Sequence, residues 1–188
     1  MAESETSAGP AILRLARSSI EHGIAHNEPL PVVYDGLPAA LSEPGATFTT
    51  LRLDGDLRGC RGTLVATQAL AKDVVCTAYL SAFDDPRFAP VADQELEALH
   101  LEVSVLSPLA PFPVSDEADL LDKLTPGTDG LVIIAGPRRA TFLPKVWTQL
   151  PEPRKFLAAL KKKAGLDPDF WAGDLEFQRY TTTVYAEG

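Results

Sequence analysis

The chain reads as an α+β fold: a mainly antiparallel sheet packed with helices, and a smaller lobe around the N-terminal helix. Three observations predict it. Asp54-Gly55 is a two-residue hairpin signal between strand-like runs, and Gly136-Pro137-Arg138-Arg139 turns a second pair of strands. Three amphipathic segments interleave with these hairpins, an order that favours α+β over an all-parallel sheet.

Residues 1–9 read as a disordered lead-in and 10–188 as a single domain. Pro10 suits a first helical turn, and Leu13, Ala16, Ile20 and Ile24 follow at helical spacing. Pro29, Pro31, Pro38 and Pro44 mark an extended connection. Thr47 to Leu53 is a strand, and the segment containing Arg58 and Cys60 returns antiparallel to it. Leu70, Val74, Ala78 and Ala82 line a second helix that stops near Asp84-Asp85-Pro86. A short helical piece over 93–99 precedes the strand His100 to Leu106, with Leu101, Val103 and Val105 on one face and His100, Glu102 and Ser104 on the other. Leu131 to Ala135 and Ala140 to Leu143 form the second strand pair. Phe156, Leu157, Leu160 and Ala164 line a third helix capped by Gly165. Leu175 to Val184 closes the chain as one strand.

At 188 residues, with 45% hydrophobic and 23% charged side chains, the composition is that of a soluble globular protein. A net charge of -9 argues against broad electrostatic binding to nucleic acid. No apolar run is long enough for a membrane, and Met1-Ala2-Glu3-Ser4-Glu5 has the opposite character to a secretory signal. Cytoplasmic residence is therefore expected, with Cys60 and Cys76 as reduced thiols.

The densest chemistry lies in Leu57-Arg58-Gly59-Cys60-Arg61-Gly62-Thr63. Gly59 and Gly62 allow a bend or a close approach beside the thiol. Arg58 and Arg61 place positive charge near the sulfur, which favours the thiolate. In an extended segment, Arg58 and Cys60 point the same way and Arg61 points opposite. This composition suits a reactive thiol or an anion-binding turn; it also suits a small cysteine packed in a glycine-tight hairpin. The spacing matches no metal, nucleotide or protease motif.

Thr47 to Asp56 followed by Leu57 to Thr63 resembles the signature of the AMMECR family. Asp85-Pro86-Arg87-Phe88-Ala89-Pro90, Leu101 to Pro108, Ala140 to Trp147, Lys163-Ala164-Gly165-Leu166 and Arg179-Tyr180 match in the family's order, from about the first helix to the C-terminus. Members similar to this chain are labelled protein A of the AmmeMemoRadiSam system, so the resemblance implies a Memo-like protein and a radical-SAM protein as partners. It implies a fold and a setting but no reaction. Arg61 departs from the pattern, which usually has an aliphatic residue there. It must face water or pair with a carboxylate such as Asp56.

The candidate catalytic residues are Cys60 as nucleophile, Arg58 as anion stabiliser and Glu102 as proton carrier. Gly59, Gly62, Thr63, Asp85 and Arg87 are candidate binding residues, Arg87 for an anionic group and Asp85 to orient a guanidinium. Each has a structural alternative: Asp85 to Phe88 as a helix-ending turn, Glu102 as a solvated strand residue. No metal site or cofactor is expected. His22 and His26 have chelating spacing but nothing nearby completes a site. His100 is a potential base for Cys60, and Lys161-Lys162-Lys163 suits a helix C-terminus. Cys76, in a small-residue helix, should be inert. Two functions remain open: a thiol-dependent enzyme on a small anionic or carbonyl substrate, or a non-catalytic partner or scaffold using the motif as an interaction surface.

Overall fold

The computed structural model describes residues 2–188, with side chains from Ala8 onward. The element order begins with α1 (Ala2–His26), β1 (Pro44–Gly45), β2 (Thr47–Leu53), β3 (Asp56–Gly62), β4 (Gln68–Ala69), α2 (Leu70–Phe83) and β5 (Leu99–Leu106). It continues with β6 (Ala110–Pro111), α3 (Glu117–Lys123), β7 (Gly130–Ala135), β8 (Arg138–Phe142), α4 (Pro153–Lys163), β9 (Glu176–Tyr180) and β10 (Thr182–Ala186). The expected lead-in over residues 1–9 falls mostly on Met1 to Ser7, outside the fully described residues. Ala8 and Gly9 belong to α1.

This is an α+β fold with antiparallel pairing in every strand pair whose register is resolved. The chain forms two compact units, 1–106 with 183–188 and 107–182. The expectation of a smaller lobe around the N-terminal helix is corrected: α1 belongs to the larger unit, and the smaller one is 107–182. The reason is that α1 buries Ile12, Ala16 and Ile20 in the same core as Val74 and Ala78 of α2 and Leu51, Leu101 and Val103 of the sheet.

The larger unit's main sheet runs β10-β5-β2-β3. The odd-numbered β2 residues Thr47, Thr49 and Leu51 face the helices. Phe48, Thr50 and Arg52 lie on the other side, as alternation requires. Asp54 (φ 53) and Gly55 (φ 88) make the expected two-residue turn. From that turn Leu53 opposes Asp56 and Arg52 opposes Leu57, but Leu51 opposes Gly59, so Arg58 is an extra residue in the pairing. This bulge interrupts the strict alternation expected for the motif. Without it Cys60 would oppose Thr49 on the helix side; with it Cys60 opposes Thr50 on the other face.

The smaller unit's sheet runs β6-β9-β7-β8. Leu131, Ile133 and Phe177 pack with Phe156, Leu157 and Leu160 of α4, and Trp147 stacks on Phe156 at 3.8 Å between ring centroids. Helix α3, not anticipated from the sequence, adds Leu120 to this core. The turn between β7 and β8 is two residues rather than four, since Ala135 already opposes Arg138. The single closing strand expected over Leu175 to Val184 is two strands, β9 and β10, in different sheets. Thr181 lies between them, where its carbonyl accepts the Ser107 N–H (2.9 Å) and its own N–H donates to Ser107 Oγ (3.0 Å). Lys161 is not simply a helix-end charge. It is fully buried, with Nζ 2.6 Å from Glu117 and 3.1 Å from the Pro168 carbonyl. Among the described residues no helix is long and apolar enough to cross a membrane.

Close approach of α2 to β3 explains the first motif glycine. A Cβ at Gly59 would lie 2.0 Å from the Ser81 carbonyl oxygen, backbone that cannot swing aside. Gly59→Ala is expected to destabilise the larger unit by about 3 kcal/mol, in the upper range for overpacking. Chemical denaturation of the variant against wild type measures it, and a neutral result would show that α2 can shift.

Candidate functional site

Four side chains at four-residue spacing hold the motif hairpin against α2: Asp73, Thr77, Ser81 and, just past the helix end, Asp85. Asp73 is buried and accepts from Thr47 N–H (2.8 Å), Thr47 Oγ1 (2.7 Å) and Thr63 Oγ1 (3.0 Å). Thr77 Oγ1 sits 2.9 Å from Thr47 Oγ1 and 3.0 Å from Thr49 Oγ1. Ser81 Oγ accepts the Arg61 N–H at 2.8 Å and lies 2.9 Å from the Thr49 carbonyl. Such buried polar groups are tolerated because each has its partners.

Asp85 completes the series at Cys60. Its Oδ2 accepts the Cys60 N–H (2.9 Å) and Arg87 Nη2 (2.6 Å); its Oδ1 accepts Arg87 Nε (2.9 Å) and the Arg87 N–H (3.1 Å). Arg87 also reaches the Cys60 carbonyl at 3.4 Å. Both outward-facing peptide groups of this edge-strand residue are thus occupied. The bidentate Arg87 pair, joined by the Cys60 and Arg87 N–H groups, outweighs burial and holds Asp85 well below the usual carboxylate range.

The three arginines of the region go to three carboxylates. Arg58 donates from Nε and Nη2 to Glu95 (2.7 and 2.9 Å), and from Nη1 and Nη2 to the carbonyls of Ala89 (2.8 Å) and Pro90 (3.2 Å). Hydrogen bonding from Arg58 chiefly, and from the Ala92 N–H, holds Glu95 below its ordinary value against the opposing effect of burial. Arg61 is partly exposed and pairs with Asp84 at 3.5 Å, not with Asp56. Arg87 is more open, with half its side chain exposed and no hydrogen bond on Nη1 among the described residues.

The sheet register sets Cys60 on β3, Thr50 on β2 and Glu102 on β5 in one row, Thr50 opposing both of the others. Cys60 and Glu102 are half-buried and Thr50 is buried. Cys60 Sγ lies 3.5 Å from Thr50 Oγ1. Cys60 and Glu102, two strand spacings apart, are separated by roughly 9–10 Å. His100 is exposed on the same face of β5 and opposes Arg52. Gly62 allows contact of another kind, since a Cβ there would lie 2.3 Å from the Phe48 ring and 2.5 Å from the Thr47 carbonyl.

Among the described residues no group of three His, Cys, Asp or Glu is placed to hold a metal. His22 and His26 face each other with ring centroids 4.3 Å apart. Both cysteines are free, and Cys76 is half-buried like Cys60 rather than enclosed. Sequence reasoning missed Thr50, Asp73, Ser81 and Glu95. The i, i+4 recurrence of Asp73, Thr77 and Ser81 was the available signal for two of them.

A family model for AMMECR1 matches residues 13–185. The chain belongs to the AMMECR1 family. A protein from Methanothermobacter thermautotrophicus is 33% identical over 181 residues, covering 95% of this chain and 94% of the relative. One from Aeropyrum pernix is 35% identical, covering 95% and 78%. The crystal structure of an uncharacterized protein from Pyrococcus horikoshii is similar in fold, with a TM-score of 0.89 at 32% identity, covering 95% of this chain and 91% of that one. In this AMMECR1-family chain, then, Gly59 and Thr63 serve the packing of the hairpin on α2 and Gly62 makes room for Phe48, while Cys60 and Glu102 share a face with Thr50.

Asp85 makes a test possible. Because its folded pKa is depressed, the stability it contributes is present above the ordinary carboxylate value of about 4 and is lost as pH falls through the lower folded value. Asp85→Ala, which strands the Cys60 N–H and the Arg87 charge, should cost about 2–3 kcal/mol at neutral pH. The gap from wild type should shrink below pH ~4. Denaturation across a pH series checks both the size and the sign.

Proposed function

We propose that this AMMECR1-family protein is a thiol-dependent enzyme acting on a small substrate with an anionic or carbonyl group, and that Cys60 is its nucleophile. The observation that carries the reading is the row Cys60–Thr50–Glu102, which puts a thiol, a hydroxyl and a carboxylate on one face. The thiolate would add to an electrophilic carbonyl carbon, forming a C–S bond as the carbonyl electron pair moves to oxygen. Collapse of that oxyanion would expel the substrate's leaving group, protonated as it departs, and leave a thioester on Cys60. Water adding to the thioester carbonyl would then break the C–S bond, release the acid and return the thiol. Glu102 lies too far from the sulfur for direct transfer, which needs about 3 Å. It would serve the far end of a substrate lying across Thr50.

The anion-stabilising role suggested for Arg58 falls to Arg87 in this proposal, because Arg87 keeps Nη1 open beside the Cys60 carbonyl whereas Arg58 is spent on Glu95 and two carbonyls. Arg58 is then a positioning residue for the loop at 89–95. The setting we propose is the cytoplasm, beside a Memo-like protein and a radical-SAM protein, on the strength of the family resemblance.

Site-resolved alkylation with iodoacetamide near neutral pH tests the chemistry. Cys60 is expected to react faster than Cys76 in the native protein, and Arg87→Ala is expected to slow Cys60 alone by about tenfold. Cys60 reacting only after unfolding would make it a packing residue and leave the scaffold reading. For the setting, affinity capture of the tagged chain from its native cells should recover the Memo-like or the radical-SAM protein. Repeated recovery of neither would remove that part of the proposal.

A further inference from the structure

The smaller unit contains a cleft of about 320 Å³ that the thiol chemistry does not use, lined among others by Ser107, Asp129, Arg179, Tyr180 and Thr181. Its size is at the low end for ligand sites, suited to a molecule of few heavy atoms. Two opposite charges line it. Arg179 is exposed, with its guanidinium carbon 4.8 Å from the Phe112 ring centroid, and that guanidinium makes no hydrogen bond or ion pair among the described residues. Asp129 is only 5% exposed; its Oδ2 accepts the Thr125 N–H at 2.9 Å and its Oδ1 has no partner among them.

In a chain with 26 acidic and 17 basic residues, an arginine without a carboxylate is not explained by scarcity. Arg179 and Asp129 share a cleft yet do not pair with each other, so room remains between them for something that meets both. The walls are fixed. Tyr180 Oη is held by Thr141 Oγ1 (2.7 Å) and the Phe142 carbonyl (3.2 Å), and burial pushes its phenol up to about 12, so it stays neutral. The mutual hydrogen bonds of Ser107 and Thr181 brace the rim.

We propose that this cleft binds a small zwitterion of the α-amino-acid type, its carboxylate on Arg179 and its ammonium group on Asp129. A guanidinium fork matches a carboxylate with two N–H donors. A buried carboxylate with an open oxygen suits an ammonium donor. A simple carboxylate satisfies Arg179 and is repelled by Asp129, and a simple amine suffers the reverse; only a ligand with both charges meets both. The inference rests on side chains of the smaller unit alone and stands or falls independently of the Cys60 reading.

Titration of the intact ¹⁵N-labelled protein with glycine and alanine, against acetate and methylammonium, tests it. Saturable shifts centred on the amides of Asp129, Arg179 and Thr181 are expected with the amino acids, at a Kd on the order of 1 mM. Arg179→Gln, at an exposed position, should weaken binding about tenfold without changing Tm. Asp129→Asn, which keeps an oxygen for the Thr125 N–H, should erase the preference for glycine over acetate. No saturable shifts with either amino acid, shifts centred elsewhere, or acetate binding as tightly as glycine to wild type would each overturn the proposal. Should Asp129→Asn fail to fold, the Arg179→Gln result decides alone.

Discussion

A ladder of polar bonds runs from α2 to the β2–β3 hairpin beside their shared apolar core, and the geometry around Cys60 depends on it. Asp73, Thr77, Ser81 and Asp85 meet peptide groups and hydroxyls of the hairpin, not aliphatic side chains. A hydrophobic contact slides at little cost, whereas each of these bonds specifies a position along the strand. The helix can come so close only because Gly59 has no side chain where the Ser81 carbonyl lies. Helix, glycine and bulge therefore form one constraint. The position of the thiol is its consequence.

That constraint accounts for residues that look catalytic in isolation. Thr63 closes on Asp73, and Gly62 makes room for Phe48. Arg58 ties β3 to the loop before β5 through Glu95 and two carbonyls. These are packing and positioning tasks, and they leave a short list of groups on the Glu102 face. Asp85 and Arg87 belong to both lists, since the pair that fixes the Cys60 backbone also brings a half-exposed guanidinium to its carbonyl. Arg61, the residue that departs from the family's pattern, has an ordinary explanation: it reaches the surface and meets Asp84, an exposed pair of little energetic weight.

Much of the fold was legible because its signals are local. The β2 limits, the Asp54-Gly55 turn and the Leu70-to-Ala82 stripe follow from alternation, turn chemistry and helical period. Helix α3 went unseen because at seven residues it is held by tertiary contacts at Leu120 more than by any periodic pattern. The break at Thr181 was illegible for another reason. No glycine or proline marks it, and the run changes sheets because of what lies beside it.

The sequence by itself determined that Cys60 sits between glycines on the return strand of a hairpin, with Glu102 on the polar side of a later strand. Turn type and two-residue alternation suffice for that. It could not determine which face Cys60 occupies. By the turn's own register Cys60 would oppose Thr49 and look towards α2. The extra residue at Arg58, with the arginine side chain drawn to Glu95 and Gly59 pressed to Ser81, advances the strand by one and turns Cys60 to Thr50 and the Glu102 side. A one-residue shift reverses every side chain beyond it, and contacts distant in sequence, not the residues of the strand itself, decide whether it occurs.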